Sequence, residues 1–272
     1  MNISEKDIIL STGDLPRLII LCGPCRTGTT ALSNVFVRTG IESHMQPIKS
    51  IRRAKAEGND EMVQWTIKNN PTGIIFSKET FGESHPSEFF NPIDDLLKIG
   101  YPKDKMEVVF ILRDPRQTFA SWKRMWEEKA TIENLKKSFL LTDEVRRSCC
   151  DSQIPHSIMV HEAIRDNCPK TIVSKLFQKL NLHDYTNNFT DWQKSPKFGD
   201  SDPQNSHLFF YDSPPEKFIE GVRDRGSYLF QELPVNLKDK TECETCPDLF
   251  EVYDLFRKLC EKDLDIHINP LN

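Results

Sequence analysis

Residues Leu18 to Phe36, LIILCGPCRTGTTALSNVF, limit what this chain can fold into more than any other stretch. The first strand, read as Leu15 to Cys22, ends in an unbroken apolar run, as a strand buried on both faces should. Gly23 and Gly28 bound a tight loop, and Thr30 to Arg38 then has the pattern of a helix. A strand that feeds a helix through such a loop aims the helix's first N–H groups into the loop, where they attract an anion. Arg26 adds a guanidinium inside the same loop. The segment therefore reads as a phosphate cradle at the end of a buried strand.

Apolar runs and helical patterns alternate along most of the chain, which is the signature of a parallel sheet covered by helices. Further strands are expected at Gly73 to Ser77, Glu107 to Leu112 and Ser157 to Val160. Helices are expected at Ile48 to Lys68, Pro92 to Lys98, Pro115 to Ser148 with a break, Lys170 to Leu180 and Cys246 to Asp263. The charge run from Lys49 to Glu61 reads as a solvated helix. The expected class is α/β: three layers, with a central, mostly parallel sheet flanked by helices. At 272 residues and 38% hydrophobic content the chain can bury a sizeable core, and we read 1–272 as one domain. The stretch from Lys194 to Pro215 is dense in Pro, Ser, Asp and Gly and reads as a long loop. It is either a lid or a surface excursion pinned by Leu208, Phe209, Phe210 and Tyr211.

A net charge of −5 argues against a general nucleic-acid or anionic-membrane surface, so a positive patch has to be local. Eight cysteines are too few for a disulfide scaffold at this length and suit a reducing compartment. The start of the chain lacks the basic-then-apolar order of a secretory signal, and no run approaches the roughly 18 apolar residues of a membrane span. A soluble, cytoplasmic protein is expected, with no nucleic-acid or membrane partner; its oligomeric state is not legible. The pairs Cys22/Cys25 and Cys243/Cys246 have metal-ligand spacing, but the first lies within the cradle, so no metal site is assigned.

In the common cradle for nucleoside triphosphates, G-x-x-x-x-G-K-[ST], a lysine neutralises the terminal phosphates. Here Gly23 and Gly28 keep the spacing, but Thr29 stands at the lysine position. A second segment, VVFILRDPRQTFASW, ends a strand at Leu112 and places Arg113 at its carboxyl edge. Asp114 and Pro115 suit an N-cap and first helical residue. Ser121 lies two turns on and shares the face of the helix start, so Arg113 and Ser121 can converge on one anion. Phe119, Trp122 and Trp126 fall on another stripe and read as core.

Together the two segments resemble the sulfotransferases that use 3'-phosphoadenosine 5'-phosphosulfate, a family with a P-loop nucleotide-binding type of fold. Pro24, Cys25, Arg26, Thr27, Gly28, Thr29 and Thr30 are similar to that family's P-[KR]-[ST]-G-[ST]-T loop, with Cys25 inserted after the proline. Arg113 and Ser121 have the spacing of its 3'-phosphate pair. SKETF, Ser77 to Phe81, resembles its K-[DET]-P strand end, and IMVHEAI, Ile158 to Ile164, its strand with Y-E-D-L. Arg223, Arg225 and Gly226 either resemble its late R-x-G segment or form a solvated charged helix end. The likeness spans roughly 15–183.

The resemblance implies sulfuryl transfer to an acceptor hydroxyl or amine on a small molecule or carbohydrate, with adenosine 3',5'-bisphosphate as product and no metal. It implies that Cys25 to Thr30 hold the 5' end, that Arg113, Ser121 and Arg225 hold the nucleotide, and that Arg26 and Lys78 face the transferred group. Two unit charges at 4 Å are worth about 4 kcal/mol at an effective dielectric near 20, so such cations matter. Many members carry a glutamate base in an E-P context, where this chain has Gln46 before Pro47. An amide takes no proton at neutral pH. His44, with Glu42 and Gln46 on the same face of an extended segment, is then the candidate base; Glu79 is another, pointed away from Lys78 by alternation. Glu162 reads as a structural hydrogen-bonding partner. The alternatives are a nucleotide-binding protein of the same fold that has lost its base, or a kinase with a remodelled loop.

Overall fold

Proline has no N–H to give a strand ladder, and the central strand begins directly after Pro16. The computed structural model describes residues 2–58, 64–82, 85–182, 190 and 227–271. In chain order the elements are β1 (Ile8–Leu10), β2 (Arg17–Pro24), α1 (Thr29–Val37), β3 (Glu42–Met45), α2 (Pro47–Ala56), β4 (Trp65–Ile67) and β5 (Ile74–Phe81). After them come α3 (Pro92–Lys98), β6 (Met106–Leu112), α4 (Pro115–Trp126), α5 (Ile132–Ser152), β7 (His156–Val160), α6 (Ala163–Asp166) and α7 (Pro169–Lys179). Two further helices are α8 (Leu237–Glu244) and α9 (Pro247–Leu264).

Five strands form one parallel sheet in the order β3-β5-β2-β6-β7, and β1 pairs with β4 in a separate parallel pair. The class is α/β, as expected. Val108 to Leu112 are wholly buried, which is why β6 reads as an apolar run without alternation. One face of the sheet packs on α1, where Phe36 stacks on Phe76 with ring centroids 4.2 Å apart, and Phe177 of α7 meets Phe36. On the other face Phe256 of α9 packs edge-on against Phe110. Since β5 and β6 flank β2 on opposite sides, the carboxyl ends of β2 and β6 bound a crevice of the kind in which open α/β sheets bind ligands.

The helix expected over Ile48 to Lys68 is shorter. It ends at Ala56, Gly58 follows in the left-handed region at φ 74°, and Trp65–Ile67 is a strand instead. An aromatic and a β-branched residue there favour the pleated pairing with β1, another strand not anticipated. The same helix is not a solvated one: Lys49 is 1% exposed. β5 runs past Ser77 to Phe81 because Lys78, Glu79 and Thr80, a polar run that reads as a strand end, are all inside the sheet and buried. The break after Pro115 falls at Glu127, at φ 50°, and Thr131 caps the next helix by accepting from Asn134 N at 3.2 Å. No helix of the described residues is long and apolar enough to cross a membrane.

Candidate functional site

The loop after β2 is held open from three sides. Cys25 N donates to Phe81 O of β5 at 3.1 Å, Trp122 Nε1 of α4 donates to Cys25 O at 2.7 Å, and the Thr27 hydroxyl donates to Pro24 O at 2.8 Å. Arg26 and Gly28 both lie in the left-handed region, at φ 70° and 94°. At Gly28 a side chain is excluded for a second reason, since a Cβ would sit 2.6 Å from Nδ1 of the buried His161. Gly28 is also the N-cap of α1, which has no side-chain cap and no acid in its first turn. The positive end of that helix is thus left for an acceptor from elsewhere.

Lys78 enters this space from β5. It is 3% exposed, and its ammonium donates to the Thr30 hydroxyl at 2.8 Å. No carboxylate of the described residues lies within ion-pair distance of it. Burial, with Lys49 and Arg26 adding repulsion, holds its pKa down to about 7, although Cys25 and Glu79 work in the opposite direction. Lys49 reaches the same region from α2, donating to Gly82 O at 3.1 Å and Cys25 Sγ at 3.4 Å, and pairs with Glu88 at 3.3 Å. Glu88 meets the charge of Lys49, so Lys78, with Arg26 in the loop, is the cation that an oxyanion at the open helix N-terminus would meet.

Neither protein-family models nor curated proteins yield a match to this chain.

At the far side of the cradle Gln117 and Ser121 share one face of α4, and Arg113, just before the Asp114 cap, continues the row at the same four-residue spacing. Ser121 accepts from Arg26 Nε at 3.1 Å, which ties this row to the loop. Arg113 donates to Gln117 Oε1 at 3.1 Å and to Gln231 O at 2.6 Å, and its guanidinium lies 5.8 Å from the centre of the Phe230 ring. Gln117 accepts from Leu233 N at 2.7 Å and donates to Leu233 O at 3.0 Å, so the row also holds residues 230–233. Asp114 caps α4 by accepting from Arg116 N at 2.8 Å. Glu162 has the structural part expected of it: it accepts from Asp114 N and from the Tyr253 hydroxyl, both at 3.0 Å, and burial lifts its pKa to about 6.

The candidate bases lie elsewhere. His44 sits on β3 in register with Ser77, which puts it on the sheet face opposite Lys78. Its Nε2 is 2.9 Å from Glu42 Oε1, and its ring packs against Trp65. Glu79 also points away from Lys78, accepting from Ile48 N at 2.9 Å and Lys49 N at 3.1 Å at the start of α2; burial pushes its pKa up to about 8 against those two bonds. Gln46, the N-cap of α2 at φ 58°, takes the Thr80 hydroxyl on its Oε1. Arg225 and the 194–215 loop fall outside the described residues.

Side-chain bonds thus tie the loop to Ser121 through Arg26 and to Lys78 through Thr30, Arg113 stands beside Gln117 in the row that ends at Ser121, and His44 lies on the other face of the sheet. Lys49, Gln117 and His161 belong to the same surroundings and were not singled out from the sequence. Gln117 was findable, since it stands midway between Arg113 and Ser121 at helical spacing. Lys49 was hidden in a run of charge.

Proposed function

We propose that this protein is a sulfotransferase that binds 3'-phosphoadenosine 5'-phosphosulfate and passes its sulfuryl group to an acceptor hydroxyl or amine. The observation that carries the reading is Lys78: a buried ammonium with a hydroxyl partner, beside an uncapped helix N-terminus that also faces Arg26. The donor supplies an activated sulfuryl group, and the chain's task is to position it and to stabilise charge. Thr27 to Thr30 would present backbone N–H groups to the 5' end, and Arg26 and Lys78 would neutralise the oxygens there. Arg113 and Ser121 would take the 3'-phosphate, with Gln117 orienting the guanidinium.

One observation favours a second reading, a binding protein that does not turn over. His44 is on the opposite sheet face and Gln46 is an amide, so neither stands where a base is needed. Transfer of labelled sulfate to a panel of hydroxyl and amine acceptors separates the two. Both readings require adenosine 3',5'-bisphosphate to bind without magnesium, and Arg113→Ala to weaken it by about 10- to 100-fold, the worth of one charge-assisted bond. Unchanged affinity in that variant would remove the 3'-phosphate assignment, and a response to ATP with magnesium would favour a kinase.

Binding should also take up protons. An anion in the cradle favours charged Lys78 and raises its pKa from about 7 towards the ordinary 10.5. Between those values the complex holds a proton that the free protein lacks, so affinity falls as pH rises above 7, by at most about tenfold per pH unit. Calorimetry at pH 8 in buffers of different ionisation enthalpy checks this. A binding enthalpy independent of the buffer, with a flat affinity profile, would exclude Lys78 as the responding group.

A further inference from the structure

The turn that ends α5 builds a second reactive cluster at the N-terminal edge of the sheet, opposite the cradle. Gln153 adopts φ 58° and its N–H bonds back to Cys150 O at 3.1 Å, while Ile154 N bonds to Cys149 O at 2.9 Å. This reversal brings His156, the first residue of β7, against the last turn of α5. Its Nε2 lies 3.7 Å from the sulfur of Cys150, which is exposed. Its Nδ1 lies 3.2 Å from Ile154 O. A carbonyl can only accept, so Nδ1 carries the hydrogen in the neutral ring and Nε2 presents its lone pair to the thiol. Arg146, one turn before Cys150, directs Nη1 at the same sulfur from 3.7 Å.

We propose that Cys150 is a nucleophilic thiol, with His156 as its base and Arg146 as the cation beside the thiolate, that undergoes exchange with small disulfides. The arrangement has the parts such a nucleophile needs: a base within reach, a third group that fixes the base's tautomer, and a positive charge at the sulfur. The C-terminal end of α5 opposes an anion at this position, so the imidazole and the guanidinium must outweigh it. Asp143 pairs with Arg146 and Arg147 and holds both on the same side of the helix. Cys149 is not a competitor, because it is wholly buried and its pKa is pushed up to about 12 by that burial.

The step balances without a further reagent. The thiol proton passes to His156 Nε2, and the Cys150 sulfur attacks one sulfur of the small disulfide, forming a new S–S bond as the bond of the attacked disulfide breaks. The departing thiolate then takes the proton from His156. One protein thiol and one disulfide give one mixed disulfide and one small thiol.

The test uses the full chain carrying Cys168→Ser, which removes the other fully exposed thiol, with glutathione disulfide as the probe and peptide mass spectrometry as the readout. The expected result is an adduct on Cys150 whose rate of formation falls about tenfold in His156→Gln and severalfold in Arg146→Ala. Absence of an adduct on Cys150, or the same rate with His156 replaced, overturns the proposal. Should His156→Gln not fold, an unchanged rate in Arg146→Ala overturns it equally. The nucleotide site plays no part in this experiment.

Discussion

Lys78→Met is expected to stabilise the protein and at the same time remove its function. Folding buries an amine that prefers water, and the shift of its pKa from 10.5 to about 7 corresponds to a stability cost of about 4–5 kcal/mol near neutral pH. A methionine of similar length fills the space without that cost. The sign follows from linkage: the unfolded chain binds the proton more tightly, so the penalty is full below pH 7 and disappears as pH rises towards 10.5. The gain in the variant should follow the same course, largest at pH 7 and below and absent near pH 10.5. Denaturant titrations of both proteins at two pH values measure it. Affinity for adenosine 3',5'-bisphosphate should fall by about 10- to 100-fold, and any sulfate transfer by about a thousandfold, since one preorganised cation contributes about 3–4 kcal/mol to such a step. A destabilised variant that still binds the nucleotide normally would mean that Lys78 is a structural lysine.

Gly23→Ala should act in the opposite way, through the fold. Gly23 is the last-but-one residue of β2, paired with Thr80 of β5, and a Cβ there would collide with the carbonyl oxygen of Ile111 in β6. That oxygen belongs to the backbone of a central strand and cannot rotate aside as a side chain would. The strands would have to separate, and a loss of about 3 kcal/mol or more is expected, read as a lowered denaturation midpoint at unchanged slope. Since the displaced strands carry Arg26 and Arg113 at their ends, nucleotide binding should weaken as well. A midpoint within error of the parent would show that the sheet edge yields more easily than the packing implies.

The sheet was legible where burial is complete on both faces. The run Val108 to Leu112 reads as an inner strand because it is short, rich in β-branched and aromatic residues and bounded by Glu107 and Arg113, and Asp114-Pro115 marks the next helix almost to the residue. The extension of β5 through Lys78, Glu79 and Thr80 was not legible, because polar residues in mid-strand are stable only when tertiary partners receive them. Those partners are Thr30, the α2 N-terminus and Gln46, all remote in sequence. The loop from Gly23 to Gly28, between a buried strand and a helix, was legible from the glycine spacing and the apolar run before it. His44 could not be judged that way, since its sheet face depends on a register that only the pairing with β5 sets. Gln117 follows from its place midway between Arg113 and Ser121, whereas Lys49 becomes visible only once burial shows which side of α2 is covered.

Most of the bonds that shape the cradle span long stretches of chain: Trp122 reaches Cys25 across 97 positions and Lys49 reaches Gly82 across 33. Parallel pairing of β2 with both β5 and β6 adds contacts of the same reach. Such contacts form late, after the entropy of closing large loops has been met, and they make folding slow. The motif that stands out first on reading the chain is therefore expected to be among the last places to take shape. Until β5, β6 and α4 have docked, the loop after β2 is an ordinary flexible turn with no fixed field. An anion that favours the finished cradle consequently stabilises the assembled sheet as a whole and has no hold on an N-terminal fragment.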